Sequence, residues 1–269
     1  MNRIKSIASG RPLIFALIVT FVFILMVLVS SVVVNAAWPA DTGGWYTAST
    51  IGRLVSITIL LVALARLGWL RTAGLLRLGD RQTWLALLLP LGYAVAVSAY
   101  AMTGTFDFSV SDLQLTGLAA IFLMAHAFLE EVAFRGLILH GFARAWDRTV
   151  RSALVSSLYF GTMHVIYLAG EPLPVVLLRV VTAFLLGIIF GALVWRSGSI
   201  YPAAIFHGVL NIAGYVSLAS TGSEPISSAW LLLSLLVLPV AIFYLYLLFS
   251  LPRRTIHMEP AFRRDLPLP

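Results

Sequence analysis

The chain has 269 residues, 60% of them apolar and only 11% charged, with a mean hydropathy of +0.97. A soluble domain has about a quarter of its residues charged, so this composition lacks a surface that water can wet, and the solvent it implies is lipid. With no cysteine, disulfides, thiolate metal sites and a cysteine nucleophile are excluded, and the net charge of +7 is scattered in short clusters between apolar runs rather than gathered into a surface for nucleic acid.

Crossing a bilayer takes an apolar run of about 20 residues. Eight such runs follow one another: roughly 12–37, 48–69, 84–103, 113–134, 150–168, 173–195, 199–217 and 229–251. The first follows Arg3 and Lys5 in the manner of a secretory signal, but its apolar stretch exceeds the core of about 7–15 residues such a signal has, so it reads as a membrane anchor. The connections 38–47, 104–112, 169–172 and 218–228 contain no Lys or Arg. On the other side lie Arg3, Lys5 and Arg11; Arg71, Arg77 and Arg81; Arg135, Arg144, Arg148 and Arg151; Arg196; and Arg253, Arg254, Arg263 and Arg264. This partition follows the positive-inside rule and holds only for an even number of spans, with both termini cytoplasmic. The expected fold is therefore all-α: a single polytopic transmembrane domain over 1–252, with eight helices enclosing a polar catalytic cavity, then a short cytoplasmic tail over 253–269. The motif-bearing half is about 113–217.

An ionisable group within a span costs about 2.5–3.5 kcal/mol and needs a reason to be there. The fourth span contains Glu130 and Glu131, with Arg135 one helical turn after Glu131, a spacing that suits an ion pair and leaves Glu130 without a local partner. The fifth contains His164. In the seventh, His207 and Asn211 share one helix face. Each alone fits helix gluing or a snorkelling helix end. Together, a Glu pair and two His residues on three spans supply the groups for activating a water and holding an oxyanion, or for a His2Glu metal site.

Glu130-Glu131-x-x-x-Arg135, Phe160-x-x-x-His164 and His207-x-x-x-Asn211 match, in order, the three signature motifs of the CAAX prenyl protease and bacteriocin-processing (CPBP or Abi) family, and the chain resembles that family over about 128–212. The resemblance implies peptide-bond hydrolysis inside the membrane. By it, Glu130 is the water-activating glutamate and His164 assists as base or ligand. His207 and Asn211 hold the oxyanion or help bind a metal, and Glu131 with Arg135 fixes the geometry of the first motif. No cofactor is required on the metal-free route. On the alternative route Zn2+ would be held by Glu130, His164 and His207, although His-Glu-x-x-His, the usual helical zinc-protease pattern, is absent. The expected partner is a membrane-embedded or lipidated peptide or protein substrate in the lipid bilayer, with no nucleic acid, and the expected location a bacterial plasma membrane. Two other classes compete: a non-catalytic binding protein such as a bacteriocin self-immunity factor on the same scaffold, and a transporter, disfavoured because the two halves show no internal repeat.

Among the remaining polar residues, His126 matches no motif and reads as a packing or hydrogen-bonding group, while His140 and His257 read as solvated or interfacial. Arg179 is expected to snorkel outward or to pair with Glu171. Gly187-x-x-x-Gly191 reads as a close helix-packing face. Depth poses a difficulty. Counted from the span ends, Glu130 lies near the cytoplasmic surface, His207 about 12 Å in and His164 roughly 20 Å in. They meet only if the fifth helix tilts or starts below the surface near 144–151.

The charge partition generates a topology prediction. Reporters fused after Asp107 and Gly222 should read as external, and those after Arg81 and at the C-terminus as cytoplasmic. An external C-terminus would remove the even number of spans.

Overall fold

A computed structural model describes residues 2–88, 91–92, 95, 110–146, 149–221, and 237–246 except 239 and 245. The described residues are helical, with no strand among them. A short helix α1 (Asn2–Gly10) turns at Arg11 into α2 (Pro12–Ala37), where proline occupies the first turn and loses no hydrogen bond by lacking an N–H. Helix α3 (Gly43–Leu67) starts at Thr42, whose hydroxyl accepts from the Trp45 N–H at 3.3 Å, and stops at Gly68 in the left-handed conformation. Helix α4 (Val110–Glu131) runs without a break into a π-helical segment, Val132–Leu139, and then into α5 (His140–Trp146). Helix α6 (Thr149–Thr162) tightens into a 3-10 segment, Met163–Ala169, and α7 (Leu173–Ser197) and α8 (Tyr201–Thr221) follow.

Five stretches are long and apolar enough to cross a membrane by length and composition: Pro12–Ala37, Gly43–Leu67, Leu113–Trp146, Val150–Ala169 and Leu173–Ser197. They coincide with the first, second, fourth, fifth and sixth expected spans. The seventh is a helix, α8, that does not meet the same standard, and the third and eighth expected spans lie largely outside the described residues. Exposed Leu17, Phe21, Val32, Ile51 and Val62 give α2 and α3 apolar outer faces, as contact with lipid requires.

Helix α4 lies between α3 and α8, and α6 packs along α7. The α6–α7 approach depends on Gly187, where a Cβ would come within 2.8 Å of the Ser157 Cβ. This is the close packing face expected of Gly187-x-x-x-Gly191.

The helix of the fourth expected span does not stop at residue 134. It continues to Trp146, making a stretch of 34 residues. The expected end rested on reading Arg135 as a cytoplasmic residue. It is 1% exposed, its charge met inside the protein, so it marks no boundary. The longer helix removes the difficulty of depth. Counted along the chain, Glu130 is about 24 Å from Trp146 and His164 about 22 Å from Thr149, so the two lie at similar depth without a special tilt.

His207 gains depth in another way. The start of α8 is itself covered by the segment after α3: the Ser199 hydroxyl donates to the Arg77 carbonyl at 2.6 Å, and the Tyr201 hydroxyl to that of Leu75 at 3.0 Å. Gly74 makes this cover possible. Its φ is +75°, and a Cβ there would lie 2.6 Å from the Ser199 Cα. Gly74→Ala should therefore destabilise the protein by about 1–3 kcal/mol, read as a lower melting temperature in detergent. Gly170→Ala, where a Cβ meets nothing within 4 Å, should melt like the wild type. Equal melting of the two variants would discount the cover over α8.

Candidate active site

The site is built on the change from α to π geometry. Glu130 and Glu131 end α4, and both are buried, Glu131 completely. Arg135 lies in the π-helical segment and donates from Nη1 to Glu131 Oε1 at 2.9 Å, as the spacing of four residues foretold. Its Nη2 donates to the Gly187 carbonyl on α7 at 3.2 Å. The guanidinium lies between two rings, 4.4 Å from the centroid of Phe160 and 5.2 Å from that of Phe190. Widening the helix leaves carbonyls for other donors. The Ser156 hydroxyl donates to the Phe134 carbonyl at 2.9 Å, and His140 Nδ1–H to that of Arg135 at 2.6 Å. His140, expected at a wet interface, is thus a buried structural residue, since its imidazole fills an acceptor that the π geometry exposes. His257 lies outside the described residues.

His207, on α8, joins both carboxylates. Its Nδ1–H donates to Glu131 Oε1 at 3.0 Å, and its Nε2 is 3.3 Å from Glu130 Oε2. A carboxylate oxygen can only accept, so the proton between His207 and Glu131 is on Nδ1. The ring is held by stacking on Phe190 at 4.7 Å and by the edge of Phe160 at 5.7 Å. His164 opens the 3-10 segment, and its Nδ1–H donates to the Phe160 carbonyl at 2.9 Å, which leaves the Nε2 lone pair for another partner. Asn211 lies one turn beyond His207 on α8 and is half-buried.

A cavity of about 50 Å3 is lined by Glu130, His126, Met163, His164, Ile166 and Tyr167, with Phe23, Ile24 and Val27 of α2. A water needs about 10–15 Å3 of such space and two to four polar partners, which Glu130, His126 and His164 can offer. His207 meets Glu130 from outside this cavity, and Asn211 is not in its wall. Two residues outside the motifs join the group. His126 Nε2 lies 3.5 Å from Glu130 Oε1, and Arg53 of α3 donates from Nε to His126 Nδ1 at 3.1 Å. His126 is thus the hydrogen-bonding residue expected, but beside the site rather than away from it. Arg53 was missed, though an arginine a few residues into the second span was a signal in itself. Arg179 pairs with Glu171, one of its two expected outcomes, and its guanidinium lies 4.2 Å from the centroid of the Tyr167 ring.

The site's donors do not form a metal cage. Among the described residues no group of three His, Cys, Asp or Glu is arranged to hold an ion. Of the three candidate ligands, His207 has both nitrogens directed at carboxylates, so only Glu130 and His164 turn free donors to the cavity. The fit to a metal is poor.

Residues 112–213 match the family model described as type II CAAX prenyl endopeptidase Rce1-like. The resemblance drawn from the three motifs is therefore shown over this segment, which contains all seven motif residues; the rest of the chain lies outside the match. No curated protein and no solved structure matched the chain.

Breaking a buried ion pair from one side costs about 3–5 kcal/mol. Arg135→Ala should lower the melting temperature sharply and abolish any activity. Arg135→Lys should restore little, because an ammonium cannot hold Glu131 and the Gly187 carbonyl with one planar group. An Arg135→Ala protein melting like the wild type would show that the pair does not hold the site together.

Proposed function

We propose that the protein is an intramembrane endopeptidase of the CAAX-processing type, hydrolysing a peptide bond in a membrane-embedded or lipidated peptide or protein with a glutamate-activated water. The observation that carries this reading is the shared cavity of Glu130 and His164, deep in the helical bundle, with the Glu130 carboxylate between two imidazoles. The family match over 112–213 supports it independently.

In this mechanism a water lies between Glu130 and the free Nε2 of His164. Glu130 takes its proton as the oxygen attacks the scissile carbonyl carbon, and the carbonyl oxygen becomes an oxyanion. The C–N bond then breaks as the proton held by Glu130 passes to the leaving nitrogen, giving a free carboxylic acid and amine and restoring the Glu130 carboxylate. Asn211, which shares one face of α8 with His207, is the donor assigned to the oxyanion, since both nitrogens of His207 are directed at carboxylates. Asn211 reaches it once substrate is seated. His207 Nε2 lies 3.3 Å from the second carboxylate oxygen and confines it while the first acts. Glu131 and Arg135 hold His207 and the backbone of the π-helical segment. The active site is proposed to open toward the cytoplasmic leaflet, with both termini on that side.

The test uses full-length protein in lipid nanodiscs and a fluorogenic peptide ending in a farnesylated CAAX sequence, beside its unprenylated form. Glu130→Gln keeps size and hydrogen bonding but cannot accept the proton. It should nearly abolish turnover while leaving peptide binding intact. Asn211→Ala should slow turnover by about 10²–10³-fold with a smaller effect on binding. Wild-type turnover by Glu130→Gln would overturn the proposal. Stoichiometric metal lost together with activity in His164→Ala would replace the water-and-glutamate route with a metal one.

A further inference from the structure

We infer that Arg53 and His126 form a positioning pair that fixes the Glu130 carboxylate from the side opposite His207; the inference rests on the reading of Glu130 as the base. Neither residue belongs to the three motifs, and they come from different helices.

Arg53 is costly where it lies. It is 5% exposed, within a helix apolar enough to cross the membrane, where a charge needs a strong reason. The reason is not an adjacent carboxylate. Its Nε–H donates to His126 Nδ1 at 3.1 Å, its Cζ lies 5.5 Å from the centroid of Phe122, and its Nη1 is buried with no hydrogen-bond partner among the described residues. A guanidinium has donors only, so the His126 Nδ1 it touches must present a lone pair. A neutral imidazole then carries its proton on Nε2. That nitrogen is the one 3.5 Å from Glu130 Oε1. Arg53 thus fixes the tautomer of His126, and His126 turns an N–H toward the carboxylate.

The surroundings hold this chain in line. His126 precedes Glu130 by one helical turn, so both project from the same face of α4. Its ring stacks on Phe122, with centroids 6.0 Å apart and planes 16° from parallel. With His207 Nε2 at 3.3 Å from Oε2, each oxygen of Glu130 faces an imidazole, one from its own helix and one from α8. Removing His126 takes away the N–H that faces Oε1 and frees the carboxylate to rotate about its side-chain bonds. Removing Arg53 lets His126 take the other tautomer and present a lone pair to the carboxylate. Either change displaces the base while the walls that contact substrate stay largely the same, so the effect should fall on kcat rather than KM.

The experiment measures kcat, KM and melting temperature on the farnesylated fluorogenic peptide for full-length wild type, Arg53→Met, His126→Leu, His126→Gln and Glu130→Gln in nanodiscs. A displacement of about 1 Å at a reacting group costs up to about 10²-fold, so Arg53→Met and His126→Leu should lower kcat by about 10–10²-fold with KM changed less than about twofold. His126→Gln, whose amide N–H can reach the same oxygen, should recover most of that loss. If Arg53→Met does not fold, the two His126 variants decide alone. Wild-type kcat in His126→Leu, beside an inactive Glu130→Gln, overturns the positioning role and leaves the base reading intact. Equal losses in His126→Leu and His126→Gln with lowered melting temperatures also overturn it, because they make His126 a packing residue. An active Glu130→Gln removes the base reading itself, and this inference with it.

Discussion

Glu131 and Arg135 are enclosed so completely that neither can exchange its partner for water, and the surrounding elements are arranged to keep them together. Burying such a pair returns little net stability, because desolvation consumes most of the attraction. Its value lies in what it organises. Arg135 links the π-helical segment to the α7 backbone at Gly187, where the helices approach closely enough for the carbonyl to receive it. Glu131 accepts from Arg135 and His207 through the same oxygen, so the ion pair also fixes the ring that faces Glu130. Three helices are thus aligned through one carboxylate, and the adjacent carboxylate is left to border the cavity.

The two neighbouring glutamates divide their roles by what each touches. Glu131 meets a permanent cation and an imidazole and has no place in the cavity wall. Glu130 meets imidazoles at both oxygens and borders the cavity. The first is tied into the ion pair and the second is left at the cavity wall. The sequence reading reached the same division from spacing alone, because only Glu131 has an arginine one turn ahead.

What was legible in the sequence was whatever depends on spacing within one helix. The Glu131–Arg135 contact, the shared face of His207 and Asn211, and the close packing at Gly187 all follow from periodicity and residue size. The illegible features depend on contacts between helices. Arg135 was read as a cytoplasmic charge because its neutralisation by Glu131 and by the Gly187 carbonyl requires α7, which lies far along the chain. The burial of the α8 start requires the cover from Arg77 and Leu75. His140 looked wet because nothing in its surroundings announces a π-helical carbonyl in need of a donor. Arg53 is a different case. Its burial inside a span was available to the same rule that singled out the glutamates, but no second motif residue stood beside it.

Two of the segments that carry motif residues depart from α geometry, and the departures have a common logic. Glu130 and Glu131 stand at the entrance to Val132–Leu139, and His164 lies in the 3-10 segment Met163–Ala169. In lipid, a backbone carbonyl released from the regular ladder must find a donor within the protein, so irregular backbone persists only where side chains or a cavity can satisfy it. Here the donors are named: His140 and Ser156 serve the π-helical segment, and His164 serves the carbonyl of Phe160. The last of these bonds also orients a functional group, because the nitrogen that satisfies the backbone is the one removed from the cavity. Helix distortion and imidazole orientation are therefore the same event at His164, and a regular helix there would leave the ring without its reason to face Glu130.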